Sequence, residues 1–572
     1  MLSSRKSGTS RPKERGVLTG LLLASLAANL TVTSGSQTSV RRAFATASSE
    51  SGEAKIREMV LSGRLPDLRW PDFSDYRVHL KSFYEPSGYG LAWNRQGQAT
   101  PQARAIIEVL EQADSKGLHA ADYDAGRWKA RLDQLQDEYS AERFDLALTV
   151  CVMRYVSDLR IGRLNPRHFK FGINVESKKY DLAEFVRTRL IGGEDIQKTL
   201  EEIDPTLPGY KRIEAALQRY LSLSRQDDGE KLPEVTKSVE PGNEYAGIPR
   251  LSRLLRLLGD LPESATVAPG NLYQEPLVGA VKHFQQRHGL PPDGRLGPQT
   301  VKALNVPLSR RVEQLRLALE RWRWVPNQLQ QPPVVVNIPE FRLRAFDKEG
   351  QVVLAMNVVV GKAYRHETPV FEENMEYVVF RPYWNVPPGI QRNEIVPALR
   401  RDPDYAHKNN YEVTTTGGQS VTSGTINDEL LQQLATGKLL IRQKPGPKNS
   451  LGLVKLIFPN EYSVYLHSTP SMQLFSRSRR DFSHGCIRIE KAAELAAWAL
   501  ADKPGWTVET VRQAMEAGED NVQVNLTSPI PVLILYETVV VDENGEAHFF
   551  EDLYGYDATL LKALAKGYPY PS

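Results

Sequence analysis

Cys486 stands inside the run Ser483-His484-Gly485-Cys486-Ile487-Arg488, and His467 closes the triplet Tyr465-Leu466-His467 a short way upstream. A thiol attacks a carbonyl only as thiolate, and an unperturbed cysteine, with a pKa of about 8.5, needs a base or a cation near it at neutral pH. His467 is the candidate base. It is expected to end a strand over Tyr462–Leu466 and to project from a sheet edge. Gly485 lets backbone approach a ligand without a Cβ and present amides to an oxyanion. Arg488 is two residues from Cys486, so in extended backbone the two side chains share a face. A cation there either favours thiolate or holds a carboxylate. The competing chemistry is zinc ligation by His467, His484 and Cys486. Ligands two apart around a glycine make an unusual chelate and no fourth ligand is evident, so neither a metal nor another cofactor is expected.

The chain has two cysteines. Cys151 falls in Phe144–Leu159, where Phe144, Leu148, Cys151, Tyr155 and Leu159 recur on one helical face, so it is expected as a small buried hydrophobe. A basic start (Arg5, Lys6, Arg11, Lys13, Arg15) precedes the apolar run Gly16–Leu30, with Ala43-Phe44-Ala45 as a small-x-small cleavage site. That order reads as an export signal or an uncleaved membrane anchor, which places the chain in the periplasm or cell envelope. In an oxidising compartment a thiol kept free is a thiol in use. With 72 Lys+Arg against 69 Asp+Glu the net charge is only +3, which argues against a nucleic-acid partner.

At 572 residues the chain is long enough for several cores. The pattern predicts a multidomain α+β protein. Residues 1–67 are a signal or anchor and flexible lead, and 68–223 a helical scaffold domain. There Leu91-Ala92-Trp93 suggests a short strand and Thr100-Pro101 an N-cap and first turn. Residues 224–250 are a polar linker, 251–308 a small three-helix bundle, and 309–332 a connecting helix. From 333 to 572 the texture is that of a mainly antiparallel β domain, with Val334–Ile338, Phe341–Phe346, Val352–Val360, Tyr377–Phe380, Val454–Phe458 and Val532–Val541 as strands. Within it, 388–448 leaves the strand pattern and reads as an inserted cap or lid.

Two resemblances follow. Phe284-Gln285, Gly289-Leu290, Asp293-Gly294, Gly297, Thr300 and Ala303-Leu304-Asn305 resemble the peptidoglycan-binding domain 1 family, which implies a hold on the wall polymer. His467, followed after a spacer by Ser483-His484-Gly485-Cys486-Ile487-Arg488, is similar to the L,D-transpeptidase catalytic domain, the YkuD family. Pro445–Gly452, Lys455, Phe458-Pro459-Asn460, Ser468-Thr469-Pro470 and Tyr383–Pro387 extend the likeness to large Gram-negative members with scaffold, bundle and capped catalytic domain in that order. His484 departs from close relatives of this type, which often have Ser.

The resemblance implies two-step acyl transfer. Cys486 attacks the third-residue carbonyl of a stem tetrapeptide, D-Ala leaves, and an amine resolves the thioester to give a 3→3 cross-link. It implies His467 as base, the Ser468 carbonyl orienting it, and amides around Gly485 and Cys486 holding the oxyanion, with His484 in support. Tyr465 lines that pocket, and Arg488 and Trp384 meet the substrate; for Arg488 the choice between a stem carboxylate and the loop stays open. Peptidoglycan stems and glycan are the implied partners, with a wall-linked lipoprotein as a further acceptor and carbapenems as inhibitors. A carboxypeptidase or hydrolase on the same fold, exchange of D-amino acids, and a non-catalytic wall-binding scaffold are the alternatives.

Overall fold

The computed structural model describes residues 50–572 apart from 327–330, 422–425, 568–569 and 571–572. The expected export segment lies outside the described residues, as do residues 422–425 of the expected cap. Among the described residues no helix is long and apolar enough to cross a membrane.

The scaffold region starts earlier than the expected residue 68. Helix α1 (Glu50–Ser62) turns Ile56 and Val60, four apart, into the core, and Leu65 and Leu68 follow them. Helix α2 (Pro101–Glu111) begins where Thr100 Oγ1 accepts the Ala103 amide at 3.1 Å. Helix α3 (Glu138–Ile161) buries Cys151, whose thiol is pushed far up by burial. Leu91-Ala92-Trp93 is not a strand: the ladder falls at Asn94–Arg95 with Gln98–Ala99, and Trp93 is core, donating Nε1–H to Thr149 Oγ1 at 2.9 Å.

Helix α4 (Pro208–Gln226) leads to the three bundle helices, α5 (Ile248–Leu258), α6 (Leu277–Arg287) and α7 (Pro298–Leu304). The polar stretch before α5 is pinned, since Leu232 is buried and its amide and carbonyl both bond the Asn305 side chain. The connecting helix α8 (Leu308–Trp324) is an axle rather than a tether. It packs against α3 and α4, buries Leu315, Leu317 and Leu319, and uses Glu320 Oε1 to accept the Arg163 and Leu164 amides.

The β region expected from residue 333 onward is built on a nine-stranded sheet. Its strands are β1 (Val334–Asn337), β2 (Arg342–Phe346), β3 (Val352–Gly361), β4 (Phe371–Phe380), β8 (Val454–Ile457), β9 (Leu466–His467), β10 (Asp481–Ser483), β11 (Ile487–Ile489) and β12 (Val522–Leu535). The cap supplies β5 (Trp384–Asn385), β6 (Tyr411–Thr415) and β7 (Leu439–Gln443). The order is β10-β3-β11-β9-β8-β4-β12-β1-β2, and β2 pairs again with β3, so the sheet closes on itself. Pairing is mainly antiparallel, but β9–β11, β10–β3 and β12–β1 run parallel. Its core takes the Val, Ile and Leu side chains of one face.

The cap is a small folded unit. Its sheet, ordered β5-β7-β6, starts at Trp384, ahead of the expected 388. The helical run 388–401 and helix α9 (Asp428–Thr436) close over it around Val396, Leu399, Leu434 and Ile441. Beyond the sheet, helix α10 (Ala492–Ala499) packs on the core and helix α11 (Tyr556–Leu564) on α8. The expected strand Val532–Val541 divides. After Leu535 the chain turns away, and the hairpin β13 (Val539–Val541) and β14 (Ala547–Phe549) buries its apolar face in the bundle core.

Candidate active site

Strands β9 and β11 lie side by side and parallel, with Leu466 opposite Ile487 and His467 opposite Arg488. Leu466 and Ile487 are fully buried in the sheet core. Strand alternation therefore turns Tyr465, His467, Cys486 and Arg488 to the other face. Strand β8 adds Lys455, paired with His467. Three adjacent strands thus carry Lys455, His467 and Arg488 in one row, with Tyr465 and Cys486 level beside it.

His467 is not at a sheet edge. It sits in a central strand and is 4% exposed. The expected strand Tyr462–Leu466 is shortened to β9 because Asn460 folds the chain before it. The Asn460 side chain donates to the Phe458 and Val464 carbonyls at 2.6 and 2.7 Å and accepts the Val464 amide at 3.1 Å.

The ring of His467 is held by its Nδ1, 2.7 Å from the Ser468 carbonyl. A carbonyl only accepts, so Nδ1 carries the hydrogen and Nε2 keeps its lone pair for a proton. Ser468 is itself fixed: its Oγ accepts the Leu453 and Val454 amides at 2.7 and 3.1 Å and donates to the Leu451 carbonyl at 3.2 Å. Burial, then the charges of Arg488 and Lys455, hold the imidazole pKa down at about 4 against the opposing Ser468 and Leu451 carbonyls.

The Cys486 thiol is partly exposed and reaches the Ser463 carbonyl at 3.6 Å. Burial pushes its pKa up, while the Tyr465 amide and hydroxyl and the Arg488 charge pull it back. Both shifts favour the neutral forms, thiol and imidazole, near pH 7, the protonation states that a general-base pair would need.

Gly485 sits at φ +114°, where only glycine is at ease. Its carbonyl accepts from Thr368 Oγ1 at 2.8 Å, and the same hydroxyl accepts the Gly361 amide at 2.8 Å. Tyr554 completes the clamp, with its hydroxyl donating to the Gly361 carbonyl at 2.7 Å and accepting the Thr368 amide at 3.2 Å. The Gly485 amide is turned onto Ser483 Oγ at 3.2 Å. This leaves the Cys486 amide as the nearer candidate for an oxyanion donor.

His484 points away from the chemistry. Its Nε2 is 2.7 Å from Glu394 Oε1 in the cap, and its ring lies edge-on to His366 with centroids 4.6 Å apart. Trp384 is placed in the cap sheet beside Tyr411, at 6.3 Å between centroids, and not in the row around Cys486. Thr368, Tyr554, Gly452, Lys455 and Glu394 complete the surroundings. Of these, Gly452 and Lys455 lie within the runs that carry the resemblance and Glu394 within the expected cap, whereas nothing in the sequence pattern singles out Thr368 or Tyr554. The groups with metal-ligand spacing among the described residues, Asp260/His283/Glu546 and Asp542/Glu546/His548, belong to the bundle and the hairpin and share no residue with this site.

Comparison with known proteins gives three domain matches. Residues 78–217 match the description "Scaffold domain", 246–304 "Putative peptidoglycan binding domain", and 332–524 "L,D-transpeptidase catalytic domain". A Haemophilus influenzae protein named "Putative L,D-transpeptidase" is 31% identical over 270 residues, which is 46% of this chain and 53% of that protein. The chain thus spans about half the length of the curated relative it matches. Cys486 and His467 lie inside the third match, with every strand of their sheet except most of β12. Residues 332–524 thus carry the L,D-transpeptidase catalytic domain of the YkuD type, behind stretches that match a scaffold domain and a peptidoglycan-binding domain.

Proposed function

We propose that this protein is a cysteine-dependent L,D-transpeptidase that makes 3→3 cross-links between peptidoglycan stems in the cell envelope, on the periplasmic side. The observation that carries the reading is the fixed imidazole: Ser468 holds Nδ1–H of His467, and its strand runs parallel to the one that Cys486 precedes.

In the first half-reaction His467 Nε2 takes the thiol proton and the sulfur attacks the carbonyl of the third stem residue. The oxyanion is met by the Cys486 amide and the Tyr465 side of the pocket. On collapse the C–N bond breaks, the imidazolium gives its proton to the leaving amine, and D-Ala departs from a thioester. In the second half the amine of another stem attacks the thioester, His467 takes its proton, and the thiol is restored as the C–S bond breaks. Atoms and protons balance with no cofactor. The peptidoglycan-binding domain holds the polymer while the cap limits water at the thioester. A wall-linked lipoprotein is a further amine acceptor of the same chemistry, and a carbapenem, whose strained amide the thiol opens, is an inhibitor.

Incubating the full chain with tetrapeptide stems and resolving the products by mass distinguishes the activities on this site. Cross-linked dimer marks transpeptidation, free tripeptide marks carboxypeptidase action, and a replaced fourth residue marks exchange. Dimer as the major product supports the proposal; tripeptide alone assigns the site to a hydrolase. If none of these forms, the chain is a wall-binding scaffold.

A further inference from the structure

Lys455 and Arg488 stand on either side of His467, in register across three neighbouring strands. Both are partly withdrawn from water, and burial lowers the pKa of each. What is unusual is their lack of compensation. Among the described residues neither cation forms an ion pair. The Nε–H of Arg488 is buried with no acceptor, and Lys455 has only the face of Tyr465, 5.9 Å from its Nζ to the ring centroid.

Elsewhere the fold pairs buried guanidiniums with carboxylates, as Arg287 with Asp260, Arg321 with Asp557 and Arg163 with Asp122, or gives them backbone carbonyls, as for Arg154, Arg311 and Arg480. A half-buried unpaired charge is costly, and two of one sign side by side add repulsion. Such a pair fits an anion that arrives from outside, and a planar guanidinium beside an ammonium suits a carboxylate. The thiol does not fill the role, because it rests protonated and is a single atom on one side of the row.

We propose that Lys455 and Arg488 form the seat for the free carboxylate of the leaving fourth residue, and so select stems that end at that residue. The inference rests on the acyl-transfer reading above and names the part of the substrate that this row takes. In an amino-acid leaving group the nitrogen and the carboxylate are borne by the same carbon. A carboxylate seated beside His467 therefore brings the departing nitrogen to the imidazole that must protonate it. A stem extended by one more residue, or ending in an amide, has a neutral group there and leaves both cations uncompensated. Lys455 is thus a positioning residue for the leaving group. Arg488, for which the sequence leaves open a stem carboxylate or the loop, is assigned to the carboxylate.

The test uses the full chain with three donors: a tetrapeptide stem with a free C-terminus, the same stem as its C-terminal amide, and the stem extended by one residue. KM and kcat for loss of the fourth residue are measured for wild type, Lys455→Gln, Lys455→Arg and Arg488→Gln. In parallel, Kd for each donor is measured on Cys486→Ala by calorimetry. Wild type is expected to favour the free carboxylate by about tenfold or more in KM, the worth of one charge-assisted hydrogen bond. Lys455→Gln should raise KM for that donor about tenfold more than for the amide donor and so erase the preference, and Lys455→Arg should restore part of it. Equal binding of all three donors to Cys486→Ala overturns the inference, as does a loss in Lys455→Gln that is the same for every donor. Absence of turnover by wild type on any donor would count against acyl transfer instead, and the calorimetric preference would still decide the carboxylate seat.

Discussion

Gly452 lies so close to Ser468 that a Cβ at residue 452 would stand 2.2 Å from the Ser468 Oγ. Its φ of +65° also belongs to the region that favours glycine. The serine cannot retreat without giving up the Leu453 and Val454 amides, and its carbonyl is what holds His467. Gly452→Ala is therefore expected to lower stability by on the order of 1–3 kcal/mol through strain and broken hydrogen bonds. It should also slow acylation by more than about tenfold, because the base loses its aim. Thermal unfolding and single-turnover acylation check this together; a variant as fast as wild type would separate Gly452 from the histidine.

The neutral resting pair has a definite pH signature. The His467 pKa of about 4 keeps the imidazole unprotonated through the neutral range, while the Cys486 thiol is pushed up. Iodoacetamide alkylation of Cys486 should keep rising with pH past the ordinary thiol range and show no fast plateau at acid pH, as a thiolate–imidazolium pair would. The same depressed histidine makes stability fall as pH drops below its unfolded value of about 6.5 and level off below about 4. Rate–pH profiles for wild type and His467→Gln distinguish the cases, and an acid plateau in wild type would refute the neutral pair.

Thr368 and Tyr554 hold the loop before Cys486 by hydrogen bonds from distant parts of the chain. Thr368→Val strands the buried Gly361 amide and Gly485 carbonyl, which costs about 1–3 kcal/mol for each unpaired group. Lower unfolding temperature together with a changed alkylation rate at Cys486 is the expected result. An effect on stability alone would reduce the clamp to a structural part.

His484 and Glu394 tie the loop before Cys486 to the cap at 2.7 Å across a partly exposed gap. Such a pair is worth up to about 1 kcal/mol, so His484→Ser should keep acylation within about fivefold of wild type. A looser cap should admit more water, so Glu394→Gln and His484→Ser should both raise the ratio of free tripeptide to dimer. An unchanged ratio in both variants would show that the tie does not govern water entry.

The order His467, Ser483, His484, Gly485, Cys486, Arg488 and the Val-rich alternation from Val334 to Val360 were legible because they are local. The helix starting at Pro101 was legible for the same reason, through its Thr100 cap. The end of β9 was not: Asn460 folds residues 460–464 into a turn although Tyr462 and Val464 have strand composition. Helix α1 was obscured because its apolar residues are few among charged ones. Lys455, Thr368, Tyr554 and Glu394 join the site through sheet register and loop packing across long separations, which spacing along the chain does not report. His484, the imidazole nearest the thiol in sequence, turned out to face the cap, since Gly485 at positive φ redirects the backbone between them.

The most direct measurement is intact mass of the full chain quenched during turnover of a tetrapeptide stem. Acyl transfer through Cys486 requires a species heavier by the tripeptide acyl group, mapped to the peptide containing Cys486, reversed by an amine acceptor with formation of dimer, and absent in Cys486→Ala. Dimer produced by Cys486→Ala, or an acyl adduct that persists in it, would contradict the assignment of Cys486 as the nucleophile.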